Sequence, residues 1–154
     1  MATAHTPTLF PGLKIVILNW NLKEDTLACV DSIYKAGISA GQIILIDNGS
    51  SDGSVDAFQT RYAGQLSLIA NPHNIGYVAG VNQGIKIALE QGAEWILLLN
   101  NDTVVAEDFF HQVHSHLSHS NDYGIFGPLI YYFSEPERVW FTGSRLVRGT
   151  LLTY

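Results

Sequence analysis

The chain has 154 residues, 47% of them hydrophobic and 14% charged, with a formal net charge of -6 from 8 Lys and Arg against 14 Asp and Glu. This describes a folded domain with a real core rather than a disordered chain. The acidic balance excludes a broad phosphate-backbone footprint, and with it nucleic acid as a partner. A small phosphorylated ligand stays compatible, because a metal ion or backbone N–H groups can meet its charge.

With Cys29 as the single cysteine, there is no intrachain disulfide and no Cys-rich metal centre. No apolar run approaches the roughly 18 residues of a membrane span. Residues 1–12 lack the basic and apolar regions of a signal peptide and read as a flexible leader, which leaves 13–154 as one domain.

In chain order, the apolar run 13–18 predicts a buried strand that ends on Asn19, Trp20 and Asn21. Residues 24–36 follow at helical spacing (Leu27, Val30, Ile33, Tyr34), with Gly37 as the C′ stop. Cys29 packs on this helix, with no base near it in sequence to make it a nucleophile. A second strand, 42–46, ends on Asp47, Asn48, Gly49, Ser50, Ser51 and Asp52. This loop is not an EF-hand, since Asp52 and Phe58 stand where that motif needs glycine and glutamate. A tight turn and a helix beginning near Ser51 or Asp52 fit better, with Val55, Phe58 and Tyr62 as its apolar stripe. Asp47 is expected to face a crevice at the strand's end.

A third strand, 66–69, leads to Asn71, Pro72, His73 and Asn74, then to a helical stretch reaching Glu90. Gly76, Gly80 and Gly84 recur every fourth residue on one face of it. They fit close packing on the sheet, or a backbone surface that admits a ligand, and neither reading excludes the other. Neither GxGxxG nor GxxxxGK[ST] occurs, so the dinucleotide fingerprint and the Walker A loop are absent.

The fourth run, 95–99, reads as a strand buried on both faces, and it stops on Asn100, Asn101 and Asp102. These three sit at the lip of a site, or Asp102 and Thr103 cap the next helix, predicted over 106–117. His111, His114, His116 and His119 on and after that helix read as a solvated face, since no carboxylate joins them. Beyond Tyr123 two strands are predicted, 125–133 and 139–143, joined by a turn at 134–137.

Four strand–helix units predict an α/β fold, three layers deep (α/β/α), around a mostly parallel sheet. Polar residues gather after the first, second and fourth strands. An aromatic ring there can stack on a base, a carboxylate can accept from a base or ribose, and another can hold a divalent cation against a diphosphate.

The stretches Ile15-Val16-Ile17-Leu18-Asn19-Trp20-Asn21, Ile46-Asp47-Asn48-Gly49-Ser50-Ser51-Asp52-Gly53-Ser54, Asn74-Ile75-Gly76 with Asn82-Gln83-Gly84, and Leu99-Asn100-Asn101-Asp102 together resemble a family 2 glycosyltransferase. The resemblance covers nearly the whole chain and is nearest to the rhamnosyltransferase-like branch. It implies the GT-A (Rossmann-like) fold and a nucleotide-diphosphate sugar donor, UDP- or dTDP-linked. It assigns Trp20 and Asn21 to the border of the nucleobase pocket and Asp47, beside Asn48, to the base. Asn100, Asn101 and Asp102 match the D-x-D motif, with Asp102 as the ligand of Mg²⁺ or Mn²⁺. Asn19, Asn74, Gly80 and Asn82 complete the implied donor-binding set.

Two departures are notable: Asn100 replaces the first aspartate, and Val81 stands where many members carry arginine. The resemblance further implies inverting, hexosyltransferase-type transfer from that donor to a polysaccharide or glycolipid acceptor, a glycan or lipid-linked partner. A cytoplasmic location is implied, with the inner face of the cell membrane as one place of work. Peripheral membrane association and oligomerisation both stay open. The family's catalytic base lies downstream of the D-x-D position, and beyond Asp122 the chain has only Glu135 and Glu137, in a turn. The base is therefore expected beyond Tyr154, and the chain is expected to be a donor-binding portion, inactive alone. Two other readings remain: a non-catalytic nucleotide-sugar-binding or assembly module, and a nucleotidyltransferase. The latter lacks its Gly-rich basic loop after the first strand.

Overall fold

The computed structural model describes residues 9–118 and 124–143. They fall into two compact units, one within Met1–His116 and one within Leu117–Tyr154. The first unit is built on a parallel sheet of β1 (Leu13–Asn19), β2 (Ile43–Asp47), β3 (Ser67–Ala70) and β4 (Trp95–Asn100), in the order β3-β2-β1-β4. Between the strands run α1 (Lys23–Lys35), α2 (Ser54–Tyr62) and α3 (Tyr77–Glu90), and α4 (Phe109–Ser118) follows β4.

Strand order fixes which face each helix covers. The first two crossovers step the same way along the sheet and the third steps back past β1. With right-handed connections, α1 and α2 therefore lie on one face and α3 on the other. The packing agrees: Val16, Ile44 and Ile46 form a cluster with Ala88 of α3, while α1 and α2 touch each other. Ile15, Ile17, Ile43 and Leu45, alternate residues pointing to the α1 side, are fully buried.

α1 ends as its sequence predicts. Gly37 takes φ +89°, its N–H donates to the Tyr34 carbonyl and that of Ile38 to the Ile33 carbonyl, a Schellman motif. Its start borrows partners from elsewhere: the Lys23 N–H donates to Asp52 and the Leu22 N–H to the Asn19 side chain. α2 is clamped to α1 where Arg61 and the Tyr62 hydroxyl both donate to Asp31.

Three sequence expectations change. β4 is not buried on both faces: it lies at a sheet edge, its residues are part-buried or exposed, and Leu98 is 50% exposed. The ordered fold begins before Leu13, because Phe10 is buried, stacks edge-on against His114 and accepts from Gln42 through its carbonyl. α4 starts at Phe109 rather than 106.

The glycines of α3 have a packing reason. A Cβ at Gly84 would sit 2.4 Å from a γ-carbon of Val16, and one at Gly80 would sit 2.6 Å from a δ-carbon of Leu18. Val16 is a buried, stiff, β-branched neighbour, whereas Leu18 is part-buried and can swing its tip. Overpacking costs about 1–3 kcal/mol against a helix-propensity gain of up to about 1 kcal/mol. Gly84→Ala is therefore expected to lower stability by roughly 1–2 kcal/mol in urea unfolding, and Gly80→Ala by less. A neutral Gly84→Ala would contradict the close approach.

In the second unit, β5 (Ile130–Tyr131) and β6 (Val139–Phe141) form an antiparallel hairpin, far shorter than the strand predicted from 125. Gly127 and Pro128 interrupt that apolar run. Arg138 closes the turn, stacking on Tyr132 and pairing with Glu135. His119 and the end of the chain lie outside the described residues.

Candidate functional site

The sheet reverses its winding between β1 and β4, and a crevice outside the carboxyl ends of those two strands follows from that switch. A cleft of about 190 Å³ opens there, lined by Leu18, Trp20 and Leu22 from β1 and its loop, Tyr77 from α3, and Leu98 and Asn100 from β4. Trp20 is 53% exposed and Tyr77 is 61% exposed, so two aromatic rings border an apolar floor.

Strand alternation separates the polar residues into two groups. Asn100 follows Leu98 on the cleft side. Asn19 and Asp47 take the opposite parity, the α1 side, where they are register partners, and Asn101 lines the cleft while sending its amide to that side. There they build a buried network. The Asn19 amide donates to an Asp47 oxygen at 2.7 Å and to the Ser50 hydroxyl at 3.1 Å. Its carbonyl oxygen accepts from the Thr26 hydroxyl at 2.8 Å, from Asn101 at 3.3 Å and from the Leu22 N–H at 3.3 Å. The second Asp47 oxygen accepts from the Ser50 N–H at 2.9 Å. Asp47 is thus 1% exposed with both oxygens engaged, and its carboxylate does not face the crevice as the sequence suggested. Pairing in register with a buried asparagine turns it inward.

Asn48 is also buried, and it holds the next loop. Its amide donates to the Asn74 side chain, and its oxygen accepts from Asn71 and from the Ile75 N–H. Asn74 in turn accepts from the Gly76 N–H, which shapes the entry to α3. Gly80 faces Leu18 and Asn48 in the packed interior, and Asn82 is exposed. Asn21 adopts φ +54°, a left-handed conformation that asparagine tolerates, and its side chain accepts from the Ser51 N–H at 2.8 Å. Asp52 is held below the ordinary carboxyl value of 3.8: burial, which raises it, is outweighed by hydrogen bonds from Ser54 and the Lys23 N–H.

At the end of β4, the Thr103 hydroxyl and N–H both return to the Asn100 carbonyl and close a turn. Since α4 starts six residues after Thr103, neither Asp102 nor Thr103 caps a helix. Asn100, which lines the cleft, is exposed, and so is Asp102, two residues further on. Among the described residues, no three His, Cys, Asp or Glu side chains gather to hold a metal. Asp102 offers a hard cation one carboxylate, which suits an ion that keeps waters and shares its other ligands with a substrate's phosphates.

Sequence reasoning missed Thr26, Ser50, Leu22 and Tyr77. Tyr77 could have been found as the first helical residue after Asn74 and Gly76, and Thr26 could not, since its partners are distant in sequence. Cys29 is fully buried, its thiol beside the Asn100 carbonyl and pushed up to about 12, mainly by burial. It is expected to resist thiol reagents at pH 8 until the protein unfolds; rapid modification of the folded chain would contradict that packing.

A doubly covered parallel sheet with a polar-rimmed crevice at its switch point defines an α/β domain of the GT-A type, and the solved structures it resembles share that fold. A mannosyltransferase from Pyrobaculum calidifontis, PcManGT, solved in complex with GDP-Man and Mn²⁺, superposes with a TM-score of 0.57 at 18% identity, over 70% of this chain and 32% of that one. Residues 1–349 of S. aureus TarS give a TM-score of 0.57 at 12% identity, over 80% of this chain and 42% of the other. The chain belongs to glycosyl transferase family 2, whose sequence profile matches residues 14–151. Glycosyltransferase GlyG of Streptococcus pneumoniae serotype 4 is 27% identical over 99 residues, 62% of this chain and 32% of its own length. The chain thus spans about a third of that curated relative. No helix among the described residues is long and apolar enough to cross a membrane.

Proposed function

We propose that this chain is the donor-binding portion of an inverting, hexosyltransferase-type enzyme, holding a nucleotide-diphosphate sugar between the ends of β1 and β4. The observation that carries this reading is that Trp20, Asn100 and Asn101 line one crevice at the sheet's switch point, with Asp102 exposed as the next residue. Trp20 stacks on the base, with Asn21 beside it. Asn100 meets the ribose. Asp102 shares Mg²⁺ or Mn²⁺ with the diphosphate, and the ion supplies charge neutralisation as the nucleotide leaves. Asn19, Asp47, Asn48, Asn74, Gly80 and Asn101 hold this surface in shape, and Asn82 lies on the exposed side of α3.

UDP and dTDP are the expected carriers, and GDP joins them because PcManGT is described with GDP-Man. The placement in a rhamnosyltransferase-like branch rests on Asn100 and Val81. We assign the acceptor, a glycan or a lipid-linked glycan, and the catalytic base to the part of the relatives' length that this chain does not span. Glu135 is paired with Arg138 in a hairpin turn, which argues against it as the base. Calorimetry with UDP, dTDP and GDP is expected to detect one preferred nucleotide, and incubation with the matching sugar donor and acceptors to give no transfer. Binding of none would overturn the donor reading, and transfer by the chain alone would overturn the placement of the base.

A further inference from the structure

We propose that Thr26 is a positioning residue of this site, whose buried hydroxyl ties the turn carrying Asn100 and Asp102 to the loop carrying Trp20 and Asn21. The inference rests on the donor reading above and assigns a role within it to a residue that lines no part of the crevice. Thr26 lies in the first turn of α1 and is fully buried. A threonine there can satisfy its hydroxyl locally, and the Leu22 carbonyl at 2.8 Å offers that. What exceeds a local role is the pair of distant partners: Asn101 donates to the same oxygen at 2.8 Å, and the carbonyl oxygen of Asn19 lies 2.8 Å away.

From Asn101 the path runs through side chains alone: Thr26, Asn19, then the Ser50 hydroxyl, which accepts from the Asn21 N–H at 2.9 Å. One end of this path is flanked by Asn100 and Asp102, the other by Trp20. Asn101 is only part-buried. Without the Thr26 oxygen its amide keeps a single, longer bond, 3.3 Å to Asn19. It is then free to turn toward water, and the residues on either side of it lose their fixed direction. The buried end of the path is rigid by contrast, because Asn19 and Asp47 satisfy each other. Removing the hydroxyl should therefore loosen the metal end and leave the base end in place.

The test compares nucleoside monophosphate and nucleoside diphosphate binding, with and without Mn²⁺, in wild type, Thr26→Val and Thr26→Ser. Thr26→Val is expected to keep monophosphate affinity within about threefold and to lose tenfold or more of the Mn²⁺-dependent gain in diphosphate affinity, with Thr26→Ser restoring it. A folded Thr26→Val with an undiminished gain would overturn the proposal, and so would a failure of Thr26→Ser to restore it. Should Thr26→Val lose cooperative unfolding, Asn101→Ala carries the same nucleotide comparison from the other side of the bond. Loss of the Mn²⁺-dependent gain with monophosphate affinity kept supports the tie, and an undiminished gain overturns it. A wild-type chain that binds no nucleotide fails the donor reading itself, and this inference with it.

Discussion

Asn19→Leu is expected to cost about 3–5 kcal/mol, because it removes a hub and strands a buried carboxylate. The Asn19 amide and carbonyl serve five partners at once, from β2, the Ser50 turn, α1, the Leu22 N–H and the β4 end. Leucine fills the space but leaves an Asp47 oxygen, the Thr26 hydroxyl and the Leu22 N–H with fewer partners, all in or near the interior. Asn19→Asp is the harsher variant at neutral pH, since it sets a second carboxylate where the amide now approaches Asp47 at 2.7 Å. Urea unfolding followed by tryptophan fluorescence measures both. A loss below about 1 kcal/mol for Asn19→Leu would mean that water replaces the network at little cost.

Gly49→Ala is expected to be the most damaging of the single glycine replacements, on the order of 3 kcal/mol. Gly49 has φ +77°, which an L-residue adopts at a cost of about 1–2 kcal/mol. Its Cβ would also sit 2.5 Å from the carbonyl carbon of His73 and 2.8 Å from the Asn74 nitrogen, backbone atoms that no rotamer change can clear. The 71–76 loop must move outward, and it pulls on the bonds by which Asn48 holds Asn71, Asn74 and Ile75. Because that loop shapes the start of α3, nucleotide affinity is expected to fall with stability. Gly41 and Gly64 make the control: each has positive φ and nothing within 4 Å of an added Cβ, so alanine there should cost only the backbone term. An equal loss at all three positions would show that close approach at Gly49 contributes nothing.

Much of the fold is legible in the sequence because it follows from periodicity. The four apolar runs became the four strands, Gly37 stopped α1, and the alternation of strand and helix gave a parallel sheet. Strand order is not legible in that way, since apolar runs carry no record of their neighbours. For that reason the β4 run read as doubly covered, although its place at an edge leaves Leu98 half exposed.

The candidate site shows the same division. Position in sequence put polar residues at the carboxyl ends of β1, β2 and β4, which follows from strand ends alone. Which of them turn inward depends on register, and the pairing of Asn19 with Asp47 is a property of the folded sheet. Parity could have separated the Asn100 side chain from the Asn101 amide, since adjacent strand residues point to opposite faces. No local signal tied Thr26 to Asn101, 75 residues apart.

The proposed donor site, the crevice between β1 and β4, is expected to bind a nucleoside diphosphate through an ion held by Asp102. Calorimetric titration of the preferred nucleoside diphosphate into wild type and Asp102→Ala, each with and without Mn²⁺, tests it most directly. Asp102 is exposed, so the variant should fold normally. Mn²⁺ is expected to tighten binding to wild type by tenfold or more, about 1.4 kcal/mol, and to leave Asp102→Ala nearly unchanged. Binding of equal strength in both proteins, with or without the ion, would contradict the claim and leave Asp102 without a role in the donor site.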